Sequence, residues 1–161
     1  MNKKILFALI LVLTALVIFL LPNDRKKITR NLETLAEYCS TATGEPTIAF
    51  LKKGSLAGKL CTNPCLVELV SSSIHSDFSR KELTDHILMM KRTLPETHFS
   101  FHDTSITFAQ KKSASIHTTL KILGKIDSDR FTNAYELSIH TKKIDGKWLF
   151  SAFHVIEFME R

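Results

Sequence analysis

Seven histidines and three cysteines are the residues of this 161-residue chain best suited to move protons or hold a metal. Imidazole titrates near neutrality, so a histidine in a cleft can serve as acid or base. His154 is the leading candidate, because it shares strand parity with Trp148, Phe150 and Ile156. His86 follows, one residue before Ile87 in an apolar helical stripe. The plainer account of both is a hydrogen-bonded histidine in the core or at the surface. His98 and His102 share a strand face and could bracket an ion, whereas His117 and His140 alternate against apolar neighbours and so face outward. Cys61 and Cys65 flank Asn63-Pro64 and could bridge in an oxidising compartment. The odd count leaves one thiol over, and buried thiols, Cys39 among them, are the simpler account. Zinc needs four ligands, and Cys61-x-x-x-Cys65 has only His75 nearby, so no metal is assigned. Cofactors are not expected either. The five glycines are isolated rather than gathered in a phosphate loop, and no serine stands in a G-x-S-x-G turn.

These side chains need elements to hold them. Asp145-Gly146 turns a hairpin over 135–158. Its first arm alternates, with Tyr135, Leu137 and Ile139 set against Glu136, Ser138 and His140. In its second arm Trp148, Phe150 and Ile156 point one way and Leu149, Phe153 and Val155 the other, so both faces call for cover. Upstream, Ile28, Leu32, Leu35 and Cys39 mark one face of a helix over 24–41. Pro46 opens a shorter helix that falters at Gly54. A short strand over 65–70 and a return strand over 74–78 follow. Ser79-Arg80-Lys81-Glu82 is a capping box, and the helix behind it carries Leu83, Ile87, Met90 and Leu94 on one face. Strands are expected over 97–109, 114–126 and 131–141. The apolar parity flips between Phe101 and Ile106, which predicts a bulge near Asp103. Helices followed by long antiparallel strands make the class α+β, with a curved antiparallel sheet wrapped around the long capped helix.

The composition, 44% hydrophobic and 24% charged, is that of a core-forming domain. The net charge of +6 is scattered in pairs such as Lys52-Lys53 and Lys111-Lys112, not laid in the continuous stripe that nucleic acid requires. Residues 5–21 are apolar apart from Thr14 and follow Lys3-Lys4. Their end, Ile18-Phe19-Leu20-Leu21-Pro22, lacks the small residues of a cleavage site, so an uncleaved transmembrane signal anchor over 1–22 is expected. A basic linker, 23–27, then leads to a domain over 28–161. The short basic leader puts that domain outside the cytoplasm, on a bacterial inner membrane, although Arg25, Lys26, Lys27 and Arg30 beyond the span pull the other way.

Leu60-Cys61-Thr62-Asn63-Pro64-Cys65-Leu66-Val67-Glu68, the capped helix at Ser79 and the Asp145-Gly146-Lys147-Trp148 hairpin together resemble the nuclear transport factor 2-like superfamily, which includes ketosteroid-isomerase-like and SnoaL-like proteins. The resemblance implies a cystatin-like cone enclosing a pocket, and dimers through the outer sheet face. It also implies where catalysis would sit. Steroid isomerases of the superfamily carry an Asp directly after the Val-Glu of the first strand; here Leu69 stands there. Their oxyanion hole takes a Tyr from the first helix and an acid from the strand before the last turn. Here the helical tyrosine is Tyr38, near the helix end, and the nearest acid, Glu136, has the wrong parity. The His-Asp pair of related dehydratases cannot be assigned. The expectation is therefore a membrane-anchored, non-catalytic domain binding a protein partner or a small apolar ligand. The expected pocket is Tyr38, His86, Met90, Trp148 and His154, and the expected homodimer or partner interface is Leu149, Phe153 and Val155. The alternatives are a pocket-histidine enzyme and a scaffold part of an envelope assembly.

Overall fold

The computed structural model describes residues 23–69, 74–94, 96–126 and 129–159. The expected anchor, residues 1–22, lies outside them. No helix among the described residues is long and apolar enough to cross a membrane.

Helix α1, Asp24–Cys39, begins where Asn23 accepts the Lys26 amide, so most of the expected linker is its first turn. Ile28, Leu32, Leu35 and Ala36 are its buried stripe. Helix α2, Thr47–Lys59, runs unbroken through Gly54. The glycine is a packing residue there: a Cβ at Gly54 would stand 2.8 Å from Leu88 Cγ, and one at Gly58 would strike Thr84 Oγ1. Helix α3, Arg80–Thr93, has the predicted capping box, and Asn63 Oδ1 also accepts its Arg80 amide at 3.0 Å.

Six strands form one sheet: β1 Cys61–Leu69, β2 Ile74–Phe78, β3 His98–Gln110, β4 Ser113–Ile126, β5 Asp129–Ile144 and β6 Lys147–Met159. Their order is β2-β1-β6-β5-β4-β3. The sheet is mixed rather than antiparallel, because β1 runs parallel to β6. No hairpin joins those two strands; β1 arrives from α2, so no turn forces it to run against β6. The expected bulge near Asp103 is present: the β3–β4 register shifts between His102 and Ser105, and Asp103 takes φ 51°.

The helix held against the sheet is α1, not the capped helix. It packs on β3 and β6, while α3 lies against α2 and reaches β1 and β2. The reason is the width of the two apolar stripes. Four buried apolar side chains come from α1, whereas the one fully buried side chain of α3 is Lys91. The core joins Ile28, Leu32 and Leu35 to Ile106, Ile116, Leu137, Ile139, Trp148 and Phe150.

A bulge in β6 decides what faces that core. Phe150 lies opposite Thr141 and Ala152 opposite His140, leaving Ser151 as an additional residue. Directly opposed residues share a face. Trp148 and Phe150 are therefore inner residues before the bulge, and Phe153 and Val155, opposite Ile139 and Leu137, are inner residues after it. The strand is not apolar on two faces. One apolar rank changes parity at Ser151, and only Leu149 of the expected interface set stays outside, opposite Lys142.

Candidate functional site

Between α1, α3 and the inner face of the sheet lies a cavity of about 240 Å³. From α1 it is lined by Leu35, Ala36 and Cys39, from α3 by Leu83, Ile87 and Met90, and from the sheet chiefly by Val67, Phe101, Leu137, Phe153 and Val155. No hydroxyl, amide, imidazole or carboxylate side chain is among its lining residues. The two thiols that reach it are Cys39 and Cys61. Burial pushes the Cys39 thiol up to about 12. Its hydrogen bond with Cys65, and then burial, raise the Cys61 thiol as well, so both are neutral, inert groups. All three cysteines are unbridged.

The expected pocket residues disperse. Met90 lines the cavity. Tyr38 is half-buried in the last turn of α1 and packs on the core, with its carbonyl accepting from Lys91 Nζ at 3.0 Å. Trp148 is core, edge-on to Phe108 and beneath the Lys143 ammonium. His86 is exposed and meets the Phe78 ring edge-on at 5.0 Å. His154 is turned to the outer face by the bulge, where Nδ1 lies 2.6 Å from Glu68 Oε2 and the ring meets His140 at 5.2 Å. Parity counted without the bulge is what had placed it inside. Phe153 and Val155, expected at an outer interface, are walls of the cavity. Of His98 and His102, the second has Nε2 paired with Ser100 Oγ at 2.9 Å. Among the described residues no group of three or more potential ligands could hold a metal.

Sequence reasoning missed Lys91. It occupies the helical position four beyond Ile87, inside the stripe that Met90 and Leu94 also mark. Its side chain is fully buried. Nζ donates to Tyr38 O at 3.0 Å and Ser40 O at 2.9 Å, and lies 3.4 Å from Glu45 Oε2. Burial draws the ammonium below its ordinary value, and Glu45 opposes that. Burial would raise the Glu45 carboxyl, but Lys53, 2.7 Å away, and Lys91 outweigh it and hold the carboxyl low. The signal was present: a lysine inside an apolar stripe and carbonyls at a helix C-terminus that need donors.

Beside the cavity is a more open cleft of about 620 Å³, sharing Ala36, Phe99 and Phe101 with it as common wall. Glu33, Glu37, Lys53 and His98 line this cleft. It is the polar ground nearest to an otherwise apolar hole.

No family model matches the chain, and no curated protein does. Solved structures do. A putative scytalone dehydratase from Novosphingobium aromaticivorans aligns with a TM-score of 0.65 at 11% identity, over 86% of this chain and 87% of its own. The hexachlorocyclohexane dehydrochlorinase LinA-type3 from Novosphingobium barchaimii aligns at 0.66 and 10%, over 84% and 88%. An NTF2-like protein with a cystatin-like fold, from Novosphingobium aromaticivorans, aligns at 0.61 and 11%, over 88% and 85%. The fold is the cystatin-like, NTF2-like one. At such identities the likeness is one of fold, and chemistry has to be argued from this chain's own residues. Leu69, which the sequence resemblance sets against an isomerase base, is an apolar inner residue opposite Val155. Glu136 is exposed on the outer face.

Proposed function

We propose that the NTF2-like domain binds a small apolar molecule without transforming it, and that residues 5–21 hold it at a membrane. The observation that carries the reading is the lining of the 240 Å³ cavity, wholly apolar side chains and neutral thiols. Apolar cavities of about 150 Å³ take up benzene, so this one suits a fused bicyclic or monoterpene-sized hydrocarbon. General acid–base catalysis needs a proton donor or acceptor within hydrogen-bond reach of the reacting atom, and the titratable groups on the cavity wall are two thiols held neutral. An enzyme reading is favoured by two things, the two enzyme-named neighbours and the polar cleft on the shared wall. It would have to draw its acid and base from Glu37, Glu33 or His98.

The test is calorimetric titration of the protein with naphthalene, beside the variant Val155→Trp, which fills the cavity. Saturable one-to-one binding is expected, abolished in a variant that still unfolds cooperatively. Binding that survives Val155→Trp would place the ligand elsewhere and overturn the reading. Turnover of a bound aromatic that is lost in Glu37→Gln or His98→Ala would establish the enzyme instead.

A further inference from the structure

A second hollow, of about 360 Å³, lies at the start of α1, away from the apolar cavity. Three elements converge on it with exposed cations: Lys27 and Arg30 from α1, Lys59 from the end of α2, and Lys147 from the start of β6. No carboxylate is among its lining residues. Asp24 is engaged elsewhere, with Lys143 Nζ 2.9 Å from both its oxygens, and Asp145 sits in the adjoining turn. Asn31 Nδ2 donates to Trp148 O at 2.8 Å, tying α1 to the backbone of β6 beside the hollow. Lys59 also lines the neighbouring hollow with Arg80 and Lys81, where the one carboxylate, Asp85, is paired with Lys81 at 2.8 Å. Four like charges gathered around an open hollow repel one another, and an anion relieves that repulsion.

The position of the hollow identifies the anion. It opens beside the first turns of α1, and α1 follows directly in sequence on the apolar stretch 5–21. A bilayer entered by that stretch would bring its headgroups to this end of the domain and not to the far ends of the strands. We propose that the hollow seats the domain on a lipid surface bearing anionic headgroups, their phosphates lying among Lys27, Arg30, Lys59 and Lys147. Basic clusters at a membrane-proximal position bind acidic lipids in this way, with an attraction confined to about a Debye length. Docking would fix the tilt of the domain and the direction in which the cavity mouth faces. The proposal draws on the reading of 5–21 as a membrane segment, and the experiment separates the two.

The full chain is mixed with lipid nanodiscs of phosphatidylcholine, or of phosphatidylcholine with one-third phosphatidylglycerol. Lysine acylation rates are then read by mass spectrometry, with Lys52 on α2 and Lys125 at the opposite end of β4 as internal references, both exposed and outside the hollow. On anionic discs Lys27, Lys59 and Lys147 should react at least about fivefold more slowly than on neutral ones, with the references unchanged. The protection of Lys27 and Lys147 should disappear in half-molar salt and in Arg30→Glu/Lys59→Glu. Equal rates on both compositions would overturn the docking surface. So would protection reproduced by millimolar inorganic phosphate without lipid, which would make the hollow a soluble-anion site. Failure to co-elute with neutral discs would remove the apolar tether, while the comparison on anionic discs still decides the hollow.

Discussion

Lys91 shows what one residue does in this fold. The C-terminal turn of α1 leaves carbonyls without amide partners, and the ammonium supplies donors to two of them while standing against Glu45. It thereby fastens α1 to α3 across the end of the apolar cavity, whose walls both helices provide. Breaking a buried charge pair from one side leaves the other charge and its neighbours unsatisfied. Lys91→Met keeps the aliphatic stem and removes the charge, and should cost about 3 kcal/mol. Urea titration reads the loss as a lowered midpoint. Glu45→Gln added to Lys91→Met should cost less than the two separate losses combined, because both changes remove the same Lys91–Glu45 contact while Lys53 keeps a place beside residue 45. A Lys91→Met protein as stable as the parent would mean that the ammonium contributes nothing to holding the helices.

At the scale of elements, α2 and α3 meet through the absence of side chains at Gly54 and Gly58. Replacing glycine by alanine inside a helix ordinarily gains about 1 kcal/mol. At Gly58 the new methyl would strike the stiff, β-branched Thr84, whose hydroxyl is already committed to Arg80 O at 2.8 Å. Overpacking of this kind costs about 1–3 kcal/mol, so Gly58→Ala should lower the thermal midpoint. A raised midpoint would show that the helices can part at no cost. The sequence carried part of this architecture plainly. The Ser79 capping box, the Asp145-Gly146 turn and the Asp103 bulge all depend on local chemistry or parity and were legible. Gly54 read as a weakness because what it packs against, Leu88, is distant in the chain. The β6 bulge left the same trace as the β3 bulge, an apolar parity that flips, from Trp148 and Phe150 to Phe153 and Val155. Taking it for a strand with two apolar faces turned the cavity wall outward and His154 inward. No single-sequence rule separates the two patterns; the register against β5 does. Which helix lies on the sheet was likewise hidden, since both have an apolar stripe and only packing reveals how much of each is buried.

For the molecule as a whole, the outer face of the sheet is a titratable surface. One ladder position crosses all six strands as Ser105, His117, Ser138, His154, Glu68 and His75. The next rank carries Thr107, Ser115, His140, Ala152, Leu66 and Asp77. This face therefore offers polar groups where an apolar dimer patch was expected, and two copies pairing through it would set histidines near histidines. Around His140 stand Ser115 Oγ, 3.1 Å from Nδ1, the His154 ring, His117 and Lys142. Burial, then the charges of His154, His117 and Lys142, draw the His140 imidazole below its ordinary 6.5. Between that lowered value and 6.5 the unfolded chain binds a proton that the folded chain refuses, so stability rises with pH across this window. The contribution is complete above 6.5 and is lost as pH falls through the folded value. The Glu68 carboxyl is held low chiefly by its hydrogen bond with His154, so its contribution is present above 4.5 and is lost at still lower pH. Acidification should thus weaken the fold in two stages, the first due to His140. Denaturant midpoints measured from pH 7.5 to pH 3.5 should fall in both stages for the parent chain. His140→Gln, which cannot take the proton, should flatten the upper stage and leave the lower one. An upper stage that persists unchanged in His140→Gln would assign the acid sensitivity to another group and leave the outer rank without a part in it.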